Sequence, residues 1–140
     1  MRRFDVGAAI IWNGGEVLIT RRRREDHQGG RWEFPGGKRH AGESIEACLI
    51  RELREEIGVK AEVGPLWRAL THVYPDRSVT LYFHFCSIAH GRPRPIEVAE
   101  IRWEPPEALA YLDFVEGDLQ VLPDLIRDLT SLTGRTLPPA

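Results

Sequence analysis

An α/β domain is predicted by three features of the chain: runs rich in β-branched, aromatic and aliphatic residues, a long helical stretch from Ser44 to Ile57 between them, and a second helical stretch from Val121 to Leu132. At 140 residues the chain has the length of one domain, and a chain of that size buries roughly 68–70% of its unfolded surface. One domain over residues 1–140 is therefore expected. The hydrophobic fraction of 42% and charged fraction of 29% suit a soluble globular protein. The net charge of −2 gives no support to a protein that coats nucleic acid or a membrane.

In chain order, Val6–Trp12 and Glu16–Thr20 read as strands joined through Asn13-Gly14-Gly15, a hairpin. Four arginines, Arg21 to Arg24, open a polar segment that runs to Arg31. Trp32-Glu33-Phe34 is a short strand, which Pro35 and Gly36-Gly37 are expected to end. Glu43-Ser44 marks the start of the main helix, and Gly58 suits the left-handed residue after its last turn. Leu66–Val73 and Val79–Ile88 are expected to be long central strands around a Pro75-Asp76-Arg77 turn. A Pro-rich loop from Gly91 to Pro95, a short Ile101-Arg102-Trp103 strand and a helical turn at Pro106–Leu109 lead to the final helix. The tail from about Thr133 is expected to fray.

The apolar stretch at Val6–Trp12 stops at Asn13, too short for a signal sequence or a membrane span. Cys48 and Cys86 alone make neither a metal cluster nor a disulfide framework, so a reducing cytoplasm is expected.

The main helix carries its acids on an unexpected side. At about 100° per residue, with Glu52 at zero, Glu55 falls near about 300° and Glu56 near about 40°. Ile45, Cys48, Leu49, Leu53 and Ile57 occupy the same side, so the acids overlap the apolar stripe instead of opposing it. A solvated acidic face fits this poorly. Carboxylates that lean towards a folded body lose hydration and repel one another unless cations compensate. Hard divalent cations such as Mg²⁺ or Mn²⁺ suit carboxylate oxygens, and no Cys/His cluster supports zinc. Arg51, one turn before Glu55, can orient that carboxylate.

Gly37, then five residues to Glu43, then seven to Arg51-Glu52-Leu53-Arg54-Glu55-Glu56-Ile57-Gly58-Val59 resembles the complete Nudix box. Ile19-Thr20-Arg21-Arg22, Trp32-Glu33-Phe34-Pro35-Gly36-Gly37-Lys38 and Tyr74-Pro75-Asp76-Arg77 are similar to the matching stretches of its MutT-like branch. The resemblance covers roughly residues 6–125. It implies an α/β/α sandwich with a mixed β-sheet between helices, and hydrolysis at a phosphorus within a diphosphate linkage.

The same resemblance implies residue roles. Glu52, Glu55 and Glu56, with the Gly36 carbonyl, would hold Mg²⁺, for which Mn²⁺ could substitute. Glu97 would add a catalytic carboxylate, with Glu100 as its competitor, and Glu52 is the first choice of general base, with Arg51 beside it. Glu43 would fix the loop and Arg51. Arg22 and Lys38 would hold phosphate, and His27, Phe34, Arg77 and Asp118 would meet the base. At Asp118 this chain departs from the asparagine of the best-known MutT enzymes, and an ionised aspartate only accepts hydrogen bonds.

The implied partner is a small nucleotide, with neither long nucleic acid nor membrane expected, and monomer and homodimer both stay open. The implied reaction converts a nucleoside triphosphate, such as the oxidised purine 8-oxo-dGTP, to monophosphate and pyrophosphate. CTP or dCTP, a dinucleoside polyphosphate or a nucleotide sugar are the alternative substrates, and a nucleotide sensor without chemistry is the non-enzymatic one.

Overall fold

The computed structural model describes residues 1–133, so the tail expected to fray lies, beyond Thr133, outside the described residues. Seven strands form one sheet: β1 (Arg2–Asn13), β2 (Glu16–Arg21), β3 (Trp32–Glu33), β4 (Gly36–Lys38), β5 (Lys60–Val73), β6 (Arg77–His90) and β7 (Glu100–Glu104). Its main order is β3-β2-β1-β6-β5, while β4 also pairs with β1 and β7 with β2. The β1–β6 pairing is parallel and the other strand pairings are antiparallel, so the sheet is mixed.

Successive side chains of a strand point to opposite faces, and β1 feeds two cores. Ala8, Ile10 and Trp12 join Phe34, Phe83 and Phe114 under Leu122, Leu125 and Leu129 of helix α3 (Leu122–Leu132). Ala9 and Ile11 join Leu18 and Cys86 under Leu49, Leu53 and Ile57 of helix α1 (Ile45–Ile57). Helices therefore cover both faces, as an α/β/α sandwich requires.

Helix α1 begins and ends as expected. The Ser44 hydroxyl accepts from the Ala47 N–H at 3.0 Å, and Gly58 takes the left-handed conformation (φ 73°), its N–H returning to the Arg54 carbonyl. In the first hairpin Asn13 pairs with Glu16, leaving Gly14-Gly15 as a two-residue turn with φ of 60° and 96°. The long strands reach further than expected because each leans on the other. Their pairing breaks register three times, between Lys60 and Ala61, Val63 and Leu66, and Leu66 and Arg68. The helical turn at Pro106 is a 3₁₀ segment, Pro106–Tyr111.

Two elements correct the sequence reading. The short strand β3 does end before Pro35, but Gly36-Gly37 does more than end it: with Lys38 it forms β4, paired Ala8↔Gly36, Gly7↔Gly37 and Val6↔Lys38. Glycine has little strand propensity of its own, so tertiary pairing makes this strand. The short helix α2 (Glu116–Leu119) was also not expected. It is placed by the segment before it, where the Trp32 N–H donates to the Asp113 carbonyl and the Val115 N–H to the Trp32 carbonyl.

A Cβ on Gly36 would run into the Gly7 backbone carbonyl. Gly36→Ala is expected to cost about 1–3 kcal/mol, the usual range for overpacking, as a lowered midpoint in urea unfolding. An unchanged midpoint would mean that β4 does not stay seated on β1.

Candidate active site

Backbone without side chains lets α1 settle onto the sheet. A Cβ on Gly7 would lie 2.9 Å from the Leu49 side chain, and one on Gly37 would lie 2.6 and 2.7 Å from the two carboxylate oxygens of Glu52. Glu52 is thus held over β4.

Arg51 organises the acids around it. Its Nε and Nη2 fork onto Glu43 at 2.6 and 3.0 Å, while Nη1 donates to Glu52 at 2.8 Å and Glu55 at 3.4 Å. Nη2 also donates to the Lys38 carbonyl at 3.0 Å. This ties the loop before the helix, the helix and β4 to one guanidinium. The Glu43 carboxyl is pulled down to about 2, first by the Arg51 hydrogen bond and then by the His40 N–H. Glu43 is therefore the anchor of Arg51, the place the resemblance gave it.

The three helix acids do not share one environment. The Glu55 side chain is 46% exposed against 15% for Glu52, and Glu56 is half-buried. Loss of water raises Glu56 well above the ordinary carboxyl range, repulsion from Glu33 and Glu52 and a hydrogen bond with Glu52 add to it, and the Gly36 backbone partly offsets it. Glu33 is thus a member of the acidic group that sequence reasoning missed. Burial raises its carboxyl too, against the pull of Arg22, whose Nη1 reaches both oxygens at 2.8 and 3.3 Å. A charged residue between Trp32 and Phe34, both buried, was the available signal.

A cavity of about 360 Å³ opens on the α3 side of β4. Arg22, His27, Phe34, Gly36, Lys38 and Asp118 all line it, so most of the expected substrate contacts come together, with Glu33 among them. Arg22 is already engaged, by Glu33 and by the His27 carbonyl at 2.6 Å. It pins the loop that carries His27 over the cavity. Phe34 is both core and wall: it is 3% exposed and its ring packs against Phe114 at 5.4 Å.

Arg77 is the exception. It does not line this cavity and stands in an adjoining depression. Glu97 is exposed, and its backbone N–H donates to the Glu56 carbonyl, which brings it to the end of α1. Glu100 instead pairs with Arg21 and Arg102.

Asp118 requires a correction. It is 4% exposed and accepts from the Phe34 N–H at 3.0 Å. Burial pushes its carboxyl up to about 8 despite that hydrogen bond. At neutral pH it is mostly a neutral acid, which offers a donor as well as acceptors. The accept-only character expected of an ionised aspartate does not apply in the folded chain.

Among the described residues, no group of three or more His, Cys, Asp or Glu side chains is arranged to hold a metal ion. Of the acids the resemblance named, Arg51 draws on Glu52 and Glu55, and Glu56 is held in contact with Glu52. The donor chemistry still fits a hard divalent cation, because carboxylate oxygens are its ligands and the repulsion that raises Glu56 is what a cation would relieve. Cys48 and Cys86 are buried free thiols, with Cys86 pushed up to about 12 by burial. They take no part.

A helix-flanked mixed sheet, with an acid-bearing helix at the rim of a nucleotide-sized cavity, defines a class of hydrolase by its fold and site. The chain belongs to the Nudix hydrolases, in their MutT-like branch: the NUDIX domain model matches residues 1–125. It is 34% identical to an 8-oxo-dGTP diphosphatase of Escherichia coli K12 over 91% of this chain and 99% of that one. It is 37% identical to a CTP pyrophosphohydrolase of the same organism, over 79% and 83%. A structure of MutT, from work on Aliivibrio salmonicida and Vibrio cholerae, matches with a TM-score of 0.72 and 34% identity over 91% of this chain and 99% of that chain. No helix among the described residues is long and apolar enough to cross a membrane.

Asp118 keeps its proton up to about pH 8 when folded, against an ordinary value of 3.8. The folded state therefore binds more protons between these values, and stability present at low pH is lost as pH rises towards 8. Asp118→Asn removes that loss. The melting temperature of the variant, relative to the unsubstituted protein, is expected to rise from about pH 5 to about pH 8.5. Parallel curves would place an ionised carboxylate in the folded protein.

Proposed function

We propose that the protein is a metal-dependent pyrophosphohydrolase that converts a nucleoside triphosphate to the monophosphate and pyrophosphate, with an oxidised purine such as 8-oxo-dGTP as the preferred base. One observation carries the reading: Gly36-Gly37 forms a wall of the cavity while Gly37 lies directly beneath the Glu52 carboxylate. A base in the cavity thus leaves its phosphates beside the helix acids.

In this reading the base packs against Phe34 and is read by Asp118, whose neutral form can donate to a carbonyl and accept from an N–H of the same ring. His27 closes the loop side. Lys38 and the positive charge of Arg22 hold phosphate at the rim. A divalent cation, Mg²⁺ with Mn²⁺ as substitute, supplies charge neutralisation on the diphosphate when held by Glu52, Glu55, Glu56, Glu97 and the Gly36 carbonyl. Glu52 takes a proton from the attacking water, Arg51 keeps Glu52 and Glu55 aligned, and the anhydride P–O bond breaks as the water oxygen bonds to phosphorus. The role that follows is clearance of damaged nucleotides from the cytoplasmic pool.

A second reading, a CTP-type pyrophosphohydrolase, is favoured by the 37% identity to the enzyme of that name. Turnover of 8-oxo-dGTP, dGTP, CTP, dCTP, a dinucleoside tetraphosphate and ADP-ribose, with products identified, separates the two. Monophosphate plus pyrophosphate, fastest with 8-oxo-dGTP, is the expected result. Fastest turnover of CTP selects the second reading, and release of orthophosphate alone contradicts both.

Glu52→Gln is expected to lower kcat by about 10²–10⁴ at saturating Mg²⁺, the usual contribution of a general base. Full turnover by that variant would remove Glu52 from the role.

A further inference from the structure

The sheet face that floors the cavity continues beyond it. Ala8 and Val6 of β1 line the cavity, and Val6, Phe4 and Arg2, next along the same face, line a second depression of about 330 Å³. Val6, Lys38 and Val79 belong to both, so the two spaces are contiguous. Strand register sets the rest of its wall. Arg2 stands beside Arg77 and Phe4 beside Val79 on the parallel β1–β6 pair, while Lys38 of β4 faces Val6.

Three cations thus converge on one concave surface. Lys38 Nζ lies 4.1 Å and Arg2 Cζ 5.1 Å from the centre of the Phe4 ring. A cation over a ring is held without being neutralised. Among the described residues neither Arg2 nor Lys38 is ion-paired, and the one carboxylate of this wall, Asp76, meets Arg77 at 3.2 Å from a side chain that is 71% exposed. An exposed pair of that kind holds its partners weakly. In a chain whose net charge is −2, this is a local positive well open to an anion.

Strand β4 indicates which anion. Gly36 and Gly37 line the cavity, Gly37 lies under Glu52, and Lys38 lines both cavity and depression. These steps span only about 7 Å of strand. A polyphosphate that leaves the cavity along this face passes Lys38, which lines both spaces, with Arg2 and Arg77 ahead of it.

We infer that Arg2, Phe4, Lys38 and Arg77 form a distal-phosphate subsite, which takes the end of the polyphosphate remote from the nucleoside and, after cleavage, the inorganic pyrophosphate. This rests on the reading of the substrate as a nucleoside triphosphate, and it moves Arg77 from the base to the phosphates.

The test uses the full chain with its N-terminus untagged, and Arg2→Gln, Arg77→Gln and Arg2→Lys. Calorimetry with Mg²⁺ present measures binding of inorganic pyrophosphate and, separately, of the nucleoside monophosphate product, and steady-state kinetics give KM for the triphosphate. Each glutamine variant is expected to weaken pyrophosphate binding and raise KM about tenfold, the effect of losing one charge-assisted contact. Monophosphate binding should stay within twofold, and Arg2→Lys should recover most of the loss. A rise in KM without a change in pyrophosphate affinity would overturn the assignment of pyrophosphate to this subsite. Equal weakening of the monophosphate, or no change in either pyrophosphate affinity or KM, would overturn it. Failure of the unsubstituted protein to hydrolyse any nucleotide would instead sink the proposed function, while pyrophosphate binding would still report on the subsite.

Discussion

The close approach of backbone to backbone at Gly7, Gly36 and Gly37 is the constraint on which the rest of the site depends. Side chains ordinarily hold a helix away from the backbone of the sheet beneath it. Here Gly7 makes room for Leu49 and Gly37 for Glu52, while Gly36 packs against the Gly7 carbonyl. The outcome is a three-residue strand with the acids of α1 on one side and the cavity on the other. Without it the acids and the cavity would belong to separate surfaces.

That proximity creates an electrostatic problem, and the surrounding residues solve only part of it. Glu33, Glu52 and Glu56 repel one another in a region short of water. Arg22 compensates Glu33 from the cavity side, and Arg51 compensates Glu43, Glu52 and Glu55 from the helix side. Among the described residues no arginine pairs with Glu56, and it remains raised. The residual excess of negative charge lies where a cation and a polyphosphate would meet. Removing it with a further arginine would stabilise the fold at the expense of that affinity, a familiar tension between stability and activity.

Much of this was legible in the sequence, because local chemistry carries it. Ser44 and Gly58 bracket α1 through capping that depends on neighbouring residues alone, and helical periodicity already put Glu52 and Glu56 with Leu49 and Leu53. What stayed hidden depends on partners distant in the chain. Nothing in Gly36-Gly37-Lys38 asks for a strand until β1 lies beside it. Glu33 becomes part of the acid group only when α1 packs near β3. Asp118 reads as an ionised acceptor until α2 buries it against Phe34, and Arg22 reads as a free cation until Glu33 and the His27 carbonyl claim it. The neighbourhood of Arg77 is likewise set by a distant partner, because parallel pairing puts it beside Arg2.

The breaks in register along β5 bear on how the open edge of the sheet is shaped. β5 ends the main path of the sheet, and a long outer strand is an invitation for another chain to add to it. Val63 and Leu66 flank an irregular step that contains Gly64 and Pro65, and proline has no N–H to offer. Lys60, Glu62 and Arg68 add charge along the same edge. A would-be partner strand meets interrupted donors and a changing twist instead of a continuous template. The sheet can therefore carry one fourteen-residue strand at the end of its main path with that edge blunted.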